Sequence, residues 1–425
     1  MQDKPDPNDL ERLIRQLIES GQIDPKAMEQ ISGLVNNPGM LTSMFSNLQS
    51  MFSQSAGSVN WELALGQGVT LAKSAETKAS ESLTNEIPKA IAIALLWLNE
   101  VTDFGSTQPP KLLTRSMWVQ DAMPLFKELS EPIATSMSKA LSENLGKALP
   151  EQFAESLGTA ANFLGNAGAT IFAMQLGQAA GRLASDAVLG SEIGIPLSDR
   201  PGFVTQNLAA IMEGLETPKT ELLIYLATRE LVMTGLFSAN PYLRERIVSQ
   251  VREFAAGLTI DTESIQELAE QVDLSSPDQV NHVIEMSSAL AARTPEQELA
   301  LSRIEFTLAL VEGWVDSVTN EATKRLPSAA AMSELFRRRR SSAGISQKAF
   351  ATLLGLELTP KLVRECEALW TKVASELGHE VRDRLISHPD QLPSVEEIQD
   401  PQLLIARLSN PGDDWDSQLR DLLGN

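Results

Sequence analysis

Apolar residues recur every three to four positions along most of this 425-residue chain, the spacing that turns one face of an α-helix toward a core. Ala90–Val101 and Arg115–Leu129 read as helices, the second carrying Trp118, Met123, Leu125 and Phe126. Ala167–Leu189 reads as a long helix rich in small residues. Its Ala173, Gly177, Gly181 and Ala184 lie close to one face, so a second helix could approach there to backbone distance. Further helices are predicted over 219–237, 241–257, 295–324, 328–340, 346–356, 359–377 and 379–387. Glu192–Leu197 breaks the pattern and reads as a short strand or turn. There is no run of alternating strands, no internal repeat, no P-loop and no Gly-rich dinucleotide fingerprint. The fold class expected is mainly α, a multi-helix body with at most minor β structure.

The ends read differently from the middle. Residues 1–57 look like a flexible helical appendage, with an amphipathic stretch at Asp9–Glu19 and a Met-rich stripe over Met40–Phe52. Such a stripe suits either an adaptable partner surface or a helix folded back on the body. Residues 58–401 form the expected helical body and 402–425 a C-terminal tail. Ser156–Gly181 carries no charge, but its Asn, Gln and Gly content reads as a buried helix rather than as a bilayer span.

Composition narrows the function classes. The chain is 43% hydrophobic and 21% charged, ordinary for a folded protein, and its net charge is −21. So acidic a surface disfavours general binding to nucleic acid or anionic lipid, and neither nucleic acid nor membrane is expected as a partner. The one cysteine, Cys366, excludes an intrachain disulfide framework and reads as a buried inert thiol. The acidic N-terminus lacks the features of a secretory signal, and the expected location is the cytoplasm.

One segment carries candidate chemistry. Zinc peptidases of the His-Glu-x-x-His type place two His four residues apart on a helix, with the intervening Glu as general base for the bound water. In the predicted helix 219–237 those three places hold Arg229, Glu230 and Met233. The Glu is kept and both imidazoles are gone. The chain has three His in all, His282, His379 and His388, none on this helix. His379-Glu380-Val381-Arg382-Asp383 begins like the motif but ends in Asp, and reads as the start of a surface helix.

Several segments resemble an actinobacterial family of zincin-like candidate hydrolases, the zinc-dependent metalloproteases. They include Val59-Asn60-Trp61, Leu96–Phe104, Gln175–Ala179, Ile193–Leu197, Val311–Asp316, Phe336–Arg340, Phe350–Leu358 and His388–Pro393, and together they span roughly Val59 to Pro401. The resemblance implies a zincin-like fold with zinc as cofactor in metal-binding relatives, and an acidic residue on a downstream helix completing the site. Relatives in this branch often read Arg-Glu-x-x-His. This chain departs further, with Met233 at the second His position. The expectation is therefore no metal and no cofactor, with Glu230 a motif remnant beside Arg229, Met233, Glu312 and Asp316.

Glu312 and Asp316 are four apart and share a helix face. If that helix packs on 219–237, both carboxylates, Glu230 and Arg229 could share a cavity. The cluster reads as residual ion pairing, as a solvated face, or as an acid–base or cation-binding site. Arg337, Arg338, Arg339 and Arg340 form the only dense basic run. They read as cations at a helix C-terminus or as a clamp for an anionic ligand. Three functions compete. The first is a zincin-like protein without zinc that binds an unknown protein or peptide. The second is a hydrolase using Glu230 with another metal or none. The third is an anion or nucleic-acid binder through Arg337–Arg340.

Overall fold

The structure, a computed structural model, describes residues 59–77, 81–148, 154–215, 217–258, 294–341, 344–354 and 362–409. The expected appendage at 1–57 lies outside these residues, as does most of the expected tail. The described chain is mainly α. In order the elements are α1 (Trp61–Lys73), α2 (Glu81–Leu98), β1 (Lys111–Leu113), α3 (Arg115–Ala148), α4 (Ala154–Asp186) and β2 (Gly202–Val204). They continue with α5 (Thr205–Glu213), α6 (Lys219–Ala239), α7 (Tyr242–Ala256), α8 (Pro295–Thr323), α9 (Ala329–Ser341) and α10 (Ile345–Leu354). Last come α11 (Val363–Leu377), α12 (His379–Ser387), α13 (Val395–Gln399) and α14 (Pro401–Ser409).

Contacts divide the chain into two units. The smaller takes in 1–59, 138–169 and 259–292, and its described helical parts are the end of α3 and the start of α4. The larger takes in 60–137, 170–258 and 293–425 and holds everything discussed below. Its packed structure runs past the expected boundary at 401. α14 buries Leu404 completely, and Arg407 Nε donates to Glu397 at 2.6 Å.

α6 is the centre of the larger unit. Every residue from Leu222 to Phe237 is buried, so this helix has no solvent face and is walled by α2 and α8. It stops at Asn240, whose backbone N–H and side-chain Nδ2 both donate to the Leu236 carbonyl at 2.9 Å, just before Pro241. Gly235 lets the segment after α2 cross its face. A Cβ there would stand 1.6 Å from the Phe104 carbonyl oxygen, and Ser106 N–H donates to the Leu231 carbonyl at 3.0 Å beside it.

α8 is opened by a capping box. The Thr294 side chain accepts from Gln297 N–H at 3.2 Å, the Gln297 side chain accepts from Thr294 N–H at 3.0 Å, and Pro295 begins the helix. At Gly313 it meets α11 so closely that a Cβ would stand 2.5 Å from that of Cys366. The small-residue face of α4 does what its spacing predicts. A Cβ on Gly177 would lie 2.3 Å from the Ala64 carbonyl oxygen, and one on Gly181 would lie 2.9 Å from the Leu71 side chain, so α1 packs there at backbone distance.

The only sheet among the described residues is a parallel pair, with Lys111 opposite Gly202 and Leu113 opposite Val204. A single antiparallel bridge, Leu189 to Phe203, ties the turn after α4 to it. Glu192–Leu197 is a turn, not a strand. Gly194 sits at φ 89°, a conformation that favours glycine.

Candidate functional site

Arg229 and Glu230 are neighbours on α6, so their side chains leave the helix about 100° apart and reach different partners. Arg229 turns toward α8. Its Nη1 donates to Asp316 Oδ1 at 2.5 Å and its Nη2 donates to Glu312 Oε2, so one guanidinium bridges two carboxylates one turn apart. Arg229 is only 6% exposed. Burial opposes its charge, but Glu312 and Asp316 overcome this and hold its pKa above the ordinary value. The same pair of acids meets a second cation. Arg340 Nη2 donates to Asp316 Oδ2 at 2.5 Å, and its Nε lies 3.9 Å from Glu312 Oε2.

Glu230 turns the other way, toward the turn between α4 and β2. Its Oε1 accepts from Gly202 N–H at 2.8 Å. Its Oε2 accepts from Ser191 N–H at 3.3 Å and from Ser191 Oγ at 2.5 Å. Burial pushes its pKa up to about 7, although these three donors and the nearby Glu192 pull in opposite directions. Gly190 packs closely here: a Cβ would stand 3.1 Å from Glu230 Oε1 and 3.2 Å from the Gly202 Cα, a tight contact. Glu192 closes its own turn by accepting from Val188 N–H at 2.5 Å.

The expected grouping is thus brought together only in part. Arg229, Glu312 and Asp316 form one ion-paired cluster, one of the three readings left open above, and no hydrogen bond joins Glu230 to it. Met233 is buried in the core at 1% exposure. The basic run fans out because successive helical residues point about 100° apart. Arg337 pairs with Glu367 at 2.8 Å, Arg338 with Glu334 at 2.7 Å, Arg339 with Glu192 at 2.8 Å and Arg340 with Asp316. Sequence reasoning missed Ser191, Glu192 and Gly202. Their one signal was a break in helical periodicity between α4 and α5.

A small pocket of about 10 Å³ lies here, lined by Ser191, Glu192, Arg229, Phe336 and Arg340 among others. It has room for about one water molecule.

The remaining candidates lie elsewhere. His379 and His388 are exposed, at the start and just past the end of α12, and His282 lies outside the described residues. The α12 segment corrects the surface reading. Its Arg382 is fully buried, stacks 5.5 Å from the Trp314 ring centroid and donates to Asp383 at 2.9 Å, while Thr102 Oγ1 donates to Asp383 at 2.6 Å. Cys366 is buried, and burial pushes its thiol up to about 12, which fits an inert thiol.

A catalytic zinc takes about three protein ligands plus water. Among the described residues no group of three or more His, Cys, Asp and Glu is placed to hold a metal ion. The two carboxylates at hand, Glu312 and Asp316, already carry guanidinium partners, Arg229 and Arg340. This donor set does not fit zinc.

Comparison with known proteins gives two findings. The family model of the zincin-like metallopeptidases matches residues 59–405. Among solved structures, a candidate hydrolase with a novel fold from Chloroflexus aurantiacus superposes with a TM-score of 0.57 at 18% identity, covering 83% of this chain and 99% of that one. At that identity the likeness is one of fold. A search of curated proteins found no match.

Proposed function

The chain belongs to the zincin-like metallopeptidase family, and from that premise we propose that it is a member in which a guanidinium has taken the metal's role in the structure, and that it works by binding a protein or peptide rather than by hydrolysing one. The observation that carries this reading is the bridge from Arg229 to Glu312 and Asp316. A planar cation with several fixed donors can satisfy the buried Asp316 and the partly buried Glu312 much as a dication would, without offering an open coordination position for water. Arg340 adds a second positive charge at the same acids, so a metal cation entering there would meet two guanidiniums at short range. The single cysteine is consistent with a reducing compartment such as the cytoplasm.

A hydrolase reading has one observation in its favour. A carboxyl held near 7 is in the range of a general base. Against it, both oxygens of Glu230 are engaged by Ser191 and Gly202. Elemental analysis of protein purified without a His tag separates the two. The binding reading expects no stoichiometric zinc and no chelator-sensitive peptidase activity. One equivalent of zinc, with hydrolysis abolished by chelator and by Glu230→Gln, would reverse the order of the two.

A further inference from the structure

We draw no further inference here: the strongest candidate, the pocket beside Ser191, Glu192 and Arg340 at the turn between α4 and β2, belongs to the site already described and has room for about one water molecule, too little for a ligand of its own.

Discussion

Replacing Glu230 by Gln should change how stability depends on pH, in a direction that the buried site fixes. The carboxyl is held near 7 in the folded protein against an ordinary value of 4.5, with burial the largest cause. Below pH 4.5 folded and unfolded chains both hold the proton and the group adds no pH dependence. Between about 4.5 and 7 the unfolded chain releases its proton while the folded one retains it, so stability falls as pH rises. Above about 7 both states are ionised and the loss levels off. At about 1.4 kcal/mol per pH unit, the gap corresponds to a loss of about 3 kcal/mol. Gln cannot titrate, but it carries one oxygen where Glu has two, and its amide NH2 would face Ser191 or Gly202 donors. That mismatch costs about 1–3 kcal/mol at every pH. Urea unfolding of both proteins between pH 5 and 8.5 isolates the effect, because all other titrating groups cancel in the difference. The penalty of Glu230→Gln should be largest near pH 5 and should shrink by about 3 kcal/mol, reaching zero or changing sign, above pH 8. A penalty that stays constant, or grows with pH, would mean that the three donors outweigh burial and that the carboxylate is the preferred form.

Arg229→His with Met233→His would place an imidazole pair one turn apart beside Glu312, and titration calorimetry should detect a gain in zinc affinity over the parent. Met233→His alone should gain far less, because the Arg229 charge stays. Gly235→Ala should cost at least about 1–3 kcal/mol in thermal or urea unfolding, since its Cβ would meet the Phe104 carbonyl and the obstacle is backbone. Arg382→Met should destabilise by about 3–5 kcal/mol, because it strips the buried Asp383 of its cation; stability equal to the parent would show that Thr102 alone satisfies that carboxylate.

Helix positions were legible because each buried face repeats at the helical period. The segments expected at 219–237, 295–324 and 379–387 match α6, α8 and α12 within a few residues. α3 runs on to Ala148 rather than ending near Leu129, with Pro124 and Pro132 inside it, so proline did not mark its end. β1 and β2 were invisible, since three residues each give no room for alternation to register. At the site, the i, i+4 spacing put Glu312 and Asp316 on one helix face, and ion pairing with Arg229 was one of three readings, conditional on α8 packing on α6. The partners of Glu230 did not follow. They are backbone N–H groups and a serine in a turn, and periodicity carries no information about where a turn places its donors. Arg340 on Asp316 was hidden for a related reason. Which of four adjacent arginines reaches an acid depends on the rotation of α9, which Tyr225 and Phe336 set by stacking.

The burial of α6 has a consequence for how the chain is made. Synthesis proceeds from the N-terminus, so α2 is already outside the ribosome when α6 emerges, but α8 begins only at Pro295 and ends at Thr323. At about 5–20 residues per second, the second wall arrives on the order of ten seconds after the helix it must cover. During that interval α6 is an apolar rod of 21 residues, long enough and apolar enough to be mistaken for a bilayer segment. Arg229 and Glu230 place two charges at its midpoint, where lipid would tolerate them least. The pair that organises the finished site therefore also marks the newborn helix as one meant for a protein interior.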